Sequence, residues 1–273
     1  MEQLLNYKRF NPKEVTAQKN TPLFILHGLM GSMDNWRSQA VRLSQSRPVL
    51  TLDLRNHGQS PHLKGMSYRE MYEDVISVAT HEKINTFHLL GHSMGGKVAM
   101  QLALAQASMI KSLIIVDIAP KPYPLWHQKT LQGVMSAPIE TMQNRKQVDE
   151  YLKPWIEDQG ERTFMLKNLK RNNIENDDDG NSGFSWRCNL NEISKGYLKI
   201  AGFTTAHQRY TDKTLFIRGE NSNYIQEMDR PIILSLFPKA KIMTITDSGH
   251  LPHFQQADVF YNSIKNFLSS VSF

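Results

Sequence analysis

The chain has 273 residues, of which 40% are apolar and 21% charged, a balance typical of a globular domain. It contains no run of about 18 apolar residues, so we expect no transmembrane helix. The formal net charge of +6 fits either anionic substrates or an ordinary solvated surface, because Lys and Arg are spread along the whole chain. No basic block interleaved with aromatic residues indicates nucleic-acid binding.

The cysteine content and the first residues of the chain indicate the cellular compartment in which the protein works. The single cysteine, Cys188, excludes an intrachain disulfide and favours a reducing environment. The first ten residues lack the apolar core and the flanks of a secretory signal. We therefore expect a cytoplasmic protein and a packed, structural role for Cys188.

The first 120 residues alternate between strands and helices. Buried strands are predicted at 23–26, 49–53, 86–90 and 111–117, with edge strands at 4–10 and within 12–22. Helices are predicted after Asp34 as the cap, after the capping box Ser67-Tyr-Arg-Glu70, and after Ser93. This alternation predicts an α/β fold, with a mostly parallel twisted sheet and helices on both faces.

The alternation stops between residues 121 and 209. Only short helices, at 131–136, 145–152 and 162–170, and a polar loop at 172–183 are predicted there. Strands then resume at 214–218 and 240–246, and the last helix places Phe260, Ile264, Phe267 and Leu268 on one face. We predict a core domain of residues 1–120 and 210–273. Residues 121–209 would form a helical lid over the strand ends where ligands bind.

The central motif is Gly91-His-Ser-Met-Gly95, between a predicted strand and a predicted helix. Gly-x-Ser-x-Gly in this context is a nucleophile elbow, a sharp turn that exposes its serine. Ser93 would lie at a helix N-terminus, where free N–H groups favour developing negative charge. Ser93 is therefore the candidate nucleophile.

Three further motifs, together with the elbow, resemble those of a known superfamily. His27-Gly-Leu-Met-Gly-Ser32, Asp53-Leu-Arg-Asn-His-Gly-Gln-Ser60 and Ser248-Gly-His250 flank the elbow in the order found in the α/β-hydrolase superfamily, which the chain resembles over its whole length. Several segments are also similar to the small bacterial esterases of the YbfF type and to α/β-hydrolase domain-containing protein 11 of animals. These segments include Val116-Asp-Ile-Ala-Pro120, Trp186-Arg-Cys-Asn-Leu190 and Arg218-Gly-Glu-Asn-Ser-Asn-Tyr224.

The resemblance implies a histidine base and an acid. His250 follows a strand near the end of the chain and keeps the order Ser, acid, His of this fold, with His253 as the alternative base. Many α/β hydrolases carry the acid in a Gly-x-x-Asp turn after the lid, but Ser222 stands at that position here.

Two residues remain as candidates for the acid. Asp117 ends the strand after the elbow, where it can reach the histidine or merely cap a turn, and the resemblance to YbfF-type esterases supports it. Glu220 directly follows Gly219, and we expect its side chain to point away. We predict the triad Ser93, Asp117 and His250.

Neighbouring residues receive supporting roles. The backbone N–H groups of Leu29 and Met94 are the predicted oxyanion donors. We expect His27 to brace the oxyanion loop, His92 to pack and Lys97 to point into neighbouring structure. Asp53 and Arg55 are predicted to form an ion pair. Side chains that would either line an acyl pocket or belong to the core are Met30, Met33, Trp126 and Trp155.

These features predict a serine esterase that acts on a small acyl ester or thioester, such as an acyl-coenzyme A, through an acyl-enzyme. Serine at the elbow disfavours dehalogenase and epoxide-hydrolase chemistry. A C–C bond hydrolase, a lactonase and a non-catalytic ligand-binding protein remain alternatives. No metal-ligand spacing and no phosphate-binding loop is present, so we expect no metal and no cofactor. The sequence leaves the natural substrate, acyl-chain length and oligomeric state open.

Overall fold

A seven-stranded sheet runs through the centre of the structure. The computed structural model describes residues 3–172, 183–204 and 208–271. Their strands are β1 (Tyr7–Phe10), β2 (Leu23–Leu26), β3 (Val49–Leu52), β4 (Phe87–His92), β5 (Ile110–Val116), β6 (Leu169–Arg171), β7 (Phe184–Trp186), β8 (Thr214–Gly219) and β9 (Ala240–Ile245). The sheet has the order β1-β3-β2-β4-β5-β8-β9, while β6 pairs with β7 in a separate two-stranded sheet. β1 pairs antiparallel with β3 and the other neighbours in the large sheet pair parallel, as predicted.

Helices cover both faces of this sheet. They are α1 (Arg37–Leu43), α2 (Tyr68–His81), α3 (Met94–Ala105), α4 (Gln128–Ser136), α5 (Arg145–Leu152), α6 (Gln159–Leu166), α7 (Leu190–Ala201), α8 (Arg230–Leu236), α9 (Pro252–Gln255) and α10 (Ala257–Val271). Phe24 and Leu26 of β2 belong to the core that contains α2 and α3. Leu23 and Ile25 of the same strand belong to the core that contains α1 and α10. This alternation follows the two-residue period of a strand and confirms the predicted layers.

Two predictions near the N-terminus are wrong. The edge strand predicted within residues 12–22 is a 3₁₀ turn at Ala17–Lys19 without buried residues. Its exposed polar side chains offer no apolar face that a sheet could cover. The predicted cap Asp34 lies inside the 3₁₀ turn Met33–Trp36, whose N-cap is Ser32.

The region between β5 and β8 holds more structure than the sequence analysis found. Helix α7 and the pair β6–β7 were not predicted, although Asn189 caps α7 by accepting the Glu192 N–H at 3.3 Å. The buried residues Ile193, Tyr197 and Ile200 also recur at helical spacing and are the signal that could have revealed α7. The loop predicted at 172–183 falls almost wholly outside the described residues. The role of residues 121–209 as a lid stays a prediction.

Among the helices of the described ranges, none combines the length and the apolar character needed to span a lipid bilayer.

Buried histidines make the stability of this fold dependent on pH. Burial lowers the pKa of His27 to about 4 and the pKa of His57 to about 3. Both are neutral in the folded chain at pH 5, whereas the unfolded chain protonates them below about pH 6.5. The unfolded chain therefore binds more protons, and the free energy of unfolding falls by about 1.4 kcal/mol per pH unit for each histidine as the pH drops below about 6.5.

We predict that His57→Asn loses less stability than the wild type between pH 7 and pH 5, because it removes one of these protonations. Urea unfolding at both pH values measures this loss. His81→Asn, at an exposed histidine, is the matched control and should lose as much as the wild type. Equal losses in all three proteins would contradict the assignment.

Candidate active site

Ser93 occupies a strained turn between β4 and α3. Its backbone has φ 51° and ψ −118°, and its N–H donates to the Val116 carbonyl at 3.0 Å. A Cβ on Gly91 would lie 2.2 Å from the Gly95 carbonyl oxygen, and a Cβ on Gly95 would lie 2.4 Å from the His27 carbonyl oxygen. Both glycines are therefore required for the close approach of strand, helix and neighbouring loop. This geometry is that of a nucleophile elbow.

A carboxylate from the neighbouring strand contacts a histidine from the far end of the chain. Asp117 directly follows β5 and His250 lies in the loop after β9. His250 Nδ1 donates to Asp117 Oδ2 at 2.8 Å. The Asp117 side chain is fully buried, whereas the His250 side chain is 27% exposed. The pair thus joins a desolvated acid to an accessible imidazole.

Two further donors hold the Asp117 carboxylate. The Gly219 N–H donates to its Oδ1 at 3.0 Å, and the Ser222 hydroxyl donates to its Oδ2. Ser222 stands at the position where many relatives of this fold carry the acid. Here its hydroxyl donates to the carboxylate of Asp117, which follows β5. The sequence analysis did not predict this role. Glu220 is turned away, and its Oε2 accepts the Asp247 N–H at 3.1 Å.

Aromatic rings fix the orientation of His250. The Tyr224 ring stacks on the His250 ring at a centroid distance of 3.8 Å. His92 Nε2 donates to the His250 backbone carbonyl at 2.8 Å. The alternative base, His253, is stacked on Trp36 at 4.1 Å, and burial lowers its pKa to about 3. His253 therefore forms part of the packing behind the site.

The predicted oxyanion loop is fastened at several points. The Leu54 N–H donates to His27 Nε2 at 2.9 Å, so His27 Nδ1 carries the proton that it donates to the Gly28 carbonyl at 2.8 Å. Met30 has a positive φ of 55°, and its carbonyl accepts from Asn168 Nδ2 at 2.7 Å. Leu29 and Met94 lie beside Ser93, and as the first residue of α3, Met94 presents an N–H without an acceptor inside the helix.

Two cavities adjoin these residues. The smaller, of about 40 Å³, is lined by Leu29, Ser93 and Met94 together with residues of α3, α7 and the segment after β5. The larger, of about 310 Å³, is lined by His250 and by polar side chains that include Glu161 and Asn221. Trp126, His127 and Tyr224 line both cavities.

The other proposed pocket residues lie elsewhere. Met30 is buried in the core with 3% exposure. The Trp155 side chain packs against Gly133 of α4, so closely that a Cβ on Gly133 would lie 2.5 Å from it. Neither residue is among those that line the two cavities.

The predicted ion pair between Asp53 and Arg55 is wrong. Arg55 pairs with Asp74, with a distance of 2.6 Å from Nε to Oδ2. The Asp53 carboxylate instead accepts the N–H groups of Met33 at 2.7 Å and Gln59 at 2.9 Å. Both residues lie beyond the end of β3 at Leu52, where the two-residue period of the strand no longer places them on one face, and Asp53 binds backbone donors of the turn instead.

Within the described ranges, no group of three or more His, Cys, Asp or Glu side chains is arranged to hold a metal ion. Cys188 is buried, and its Sγ donates to Asn168 Oδ1 at 3.3 Å. Burial raises the pKa of this thiol to about 12.

The architecture and the elbow agree with a family pattern. The pattern of the alpha/beta hydrolase fold matches residues 21–257. The chain belongs to this family.

Relatives of this α/β hydrolase include proteins named as lipases and esterases. It is 36% identical over 257 residues to the sn-1-specific diacylglycerol lipase ABHD11 of Danio rerio, with 91% of this chain and 78% of that protein covered. It is 30% identical over 265 residues to esterase YbfF of Escherichia coli, with 96% and 99% covered. The solved structure of a marine microorganism esterase is 33% identical, with a TM-score of 0.89 and 97% and 100% of the two chains covered. The resemblance inferred from the motifs is confirmed.

The contact between Asp117 and His250 predicts unequal effects of two substitutions. Asp117→Asn should lower kcat about 10³- to 10⁴-fold, because the amide neither stabilises an imidazolium nor fixes the correct tautomer. Glu220→Gln, in the turn that usually carries the acid, should retain most of the activity. Steady-state hydrolysis of p-nitrophenyl butyrate measures both. The reverse order of effects would move the acid to Glu220.

Proposed function

We propose that this α/β hydrolase is a serine esterase that hydrolyses small acyl esters, with acyl thioesters as a second substrate class. Ser93 is the proposed nucleophile, His250 the base and Asp117 the acid. The observation that carries the proposal is the hydrogen bond of 2.8 Å from His250 to the buried Asp117 carboxylate, in a fold whose elbow presents Ser93. The relatives named as esterases and lipases support ester hydrolysis.

Acylation would use the imidazole as a proton carrier. In the neutral imidazole tautomer whose Nδ1–H is bonded to Asp117, Nε2 carries the lone pair that would accept the proton of Ser93 Oγ. The oxygen of Ser93 then bonds to the acyl carbon, and the carbonyl electrons move to its oxygen. Collapse of this intermediate expels the alkoxide, which takes the proton from His250 Nε2. The acyl group remains on Ser93 as an ester.

The N–H groups of Leu29 and Met94 would bind the oxyanion that forms in this step. Each such donor contributes about 3–4 kcal/mol to the transition state in a site shielded from water. Their backbone position means that side-chain substitutions leave them in place. The fastening of the loop through His27 and Asn168 keeps the Leu29 donor from moving when charge develops.

Deacylation repeats the sequence with water. His250 Nε2 accepts a proton from water, the resulting hydroxide oxygen bonds to the acyl carbon, and Ser93 Oγ leaves with the proton returned by His250. The products are a carboxylic acid and the regenerated hydroxyl. The open cavity beside His250 supplies a route for this water and for the departing alcohol.

The alternatives use the same residues differently. A lactonase or a C–C bond hydrolase would employ Ser93 and His250 on another substrate, so the choice depends on the substrate cavity. A ligand-binding protein without catalysis would have no need for the carboxylate support that Ser222 gives to Asp117. The lid function of residues 121–209 and a cytoplasmic location stay predictions.

A fluorophosphonate probe tests the nucleophile directly. We predict that it labels the wild-type protein with one phosphonyl group per chain, and that Ser93→Ala abolishes the labelling. Intact-mass spectrometry measures the adduct, and peptide mapping locates it. Ser235→Ala, at an exposed serine of α8 away from the site, is the control and should still be labelled at Ser93. Unlabelled wild-type protein would favour the ligand-binding alternative.

A substrate panel separates the classes of hydrolase. We predict that p-nitrophenyl esters with short acyl chains are hydrolysed, and that EDTA leaves the rate unchanged. Acyl-coenzyme A thioesters and lactones in the same panel define the preference. A rate that disappears with EDTA and returns with a divalent metal would contradict the proposed mechanism.

A further inference from the structure

Lys97 is a buried cation close to the proposed nucleophile. It lies on α3, four residues after Ser93, and its backbone N–H donates to the Ser93 carbonyl at 3.1 Å. The residue is 2% exposed. An ammonium group is costly to bury, so its contacts must offset the loss of hydration. Burial also lowers its pKa to about 7.

The partners of this ammonium belong to the end of helix α7. Lys97 Nζ donates to the carbonyls of Ala201 at 2.9 Å and Gly202 at 2.8 Å, with a weaker contact to Ile200 at 3.4 Å. These are carbonyls at the C-terminus of a helix, where the macrodipole is negative and acceptors lack partners within the helix. The Tyr123 ring lies 4.8 Å from the same ammonium. Lys97 thus caps a helix from a different element.

Helix α7 is also a wall of the small cavity that contains Ser93. Tyr197, Ile200 and Ala201 line this cavity, and so does Lys97 itself. The cavity has a volume of about 40 Å³, room for a few water-sized groups and so for a short acyl chain on Ser93. The position of α7 relative to α3 therefore sets the space for an acyl chain.

We propose that Lys97 holds the end of α7 against α3 and thereby restricts the enzyme to short acyl chains. This inference rests on the proposed esterase function. Without the ammonium, the Gly202 carbonyl loses this donor and the Ala201 carbonyl keeps the Tyr123 N–H at 2.9 Å. The end of α7 is then held less firmly and can move outward to admit a longer chain. Lys97 is then a specificity-determining residue, and it takes no part in proton transfer.

The test compares two esters in matched variants. Lys97→Met keeps the length of the side chain and removes its charge and donors. Gln101→Met is the control, because Gln101 lies one turn further along α3 and donates to the Thr204 carbonyl at 2.7 Å without lining the cavity. The measured quantity is kcat/KM for p-nitrophenyl octanoate divided by that for p-nitrophenyl butyrate.

We expect this ratio to rise at least about tenfold in Lys97→Met, mainly through a lower KM for the octanoate, and to stay at the wild-type value in Gln101→Met. Lys97→Gln, which also removes the charge, should shift the ratio in the same direction and serves if Lys97→Met does not fold. A ratio unchanged in the folded Lys97 variant overturns this inference alone. A wild-type protein that hydrolyses neither ester and escapes the fluorophosphonate probe overturns the proposed function, and this inference with it.

Discussion

The hydrogen bond between His250 and Asp117 connects two parts of the chain that are 133 residues apart. It depends on the strand order, because β5, β8 and β9 are neighbours and their carboxyl ends meet at one edge of the sheet. It depends equally on the donors around Asp117, since an ionised carboxylate without partners would not remain in a dry environment. The Gly219 N–H and the Ser222 hydroxyl supply that support from the end of β8. The strand order therefore brings together the Asp117 carboxylate, its two donors and His250.

That arrangement explains how an α/β hydrolase can lack an acid in its usual turn. A buried carboxylate on the neighbouring strand needs a donor, and not a second negative charge, at the vacated position. Serine at 222 meets this requirement, because its hydroxyl reaches the carboxylate that an aspartate there would have repelled. Tyr224, two residues further on, stacks on the imidazole and limits its rotation. The turn Gly219–Tyr224 therefore contacts both the proposed acid and the proposed base without contributing a charge to the pair.

Some of these features could be predicted from the sequence because their signals are local. A strand, two glycines and a helix around Ser93 specify the elbow, and the alternation of apolar runs specifies the parallel sheet. The pairing of Asp117 with His250 could be proposed because both residues follow strands whose ends share an edge.

Other features depend on contacts between distant segments. Arg55 is only two residues from Asp53 in sequence, yet its partner is Asp74 on α2. No local pattern indicated that the Ser222 hydroxyl would donate to Asp117, or that Met30 and Trp155 would lie outside the cavity linings. Helix α7 has a capping residue, Asn189, and apolar residues at helical spacing. It follows a segment in which strands and helices do not alternate, so these local signals were not interpreted as a helix.

The segment between β5 and β8 lines the cavity that contains Ser93 and contacts the predicted oxyanion loop. Asn168, which precedes β6, donates to the carbonyl of Met30, and Cys188 donates in turn to Asn168. This chain of contacts holds a residue with a positive φ, a conformation that costs about 1–3 kcal/mol and needs surrounding support. From the other side, the end of α7 meets Lys97 on α3. Both the predicted oxyanion loop and the elbow helix are therefore braced by residues of the intervening segment.

The most direct measurement of the central claim is a crystal structure of the protein after reaction with a phosphonate inhibitor. We expect phosphorus bonded to Ser93 Oγ, a phosphonyl oxygen within hydrogen-bond distance of the Leu29 and Met94 N–H groups, and His250 Nδ1 still bonded to Asp117. An adduct on another residue, or a His250 ring whose partner is Glu220, would contradict it.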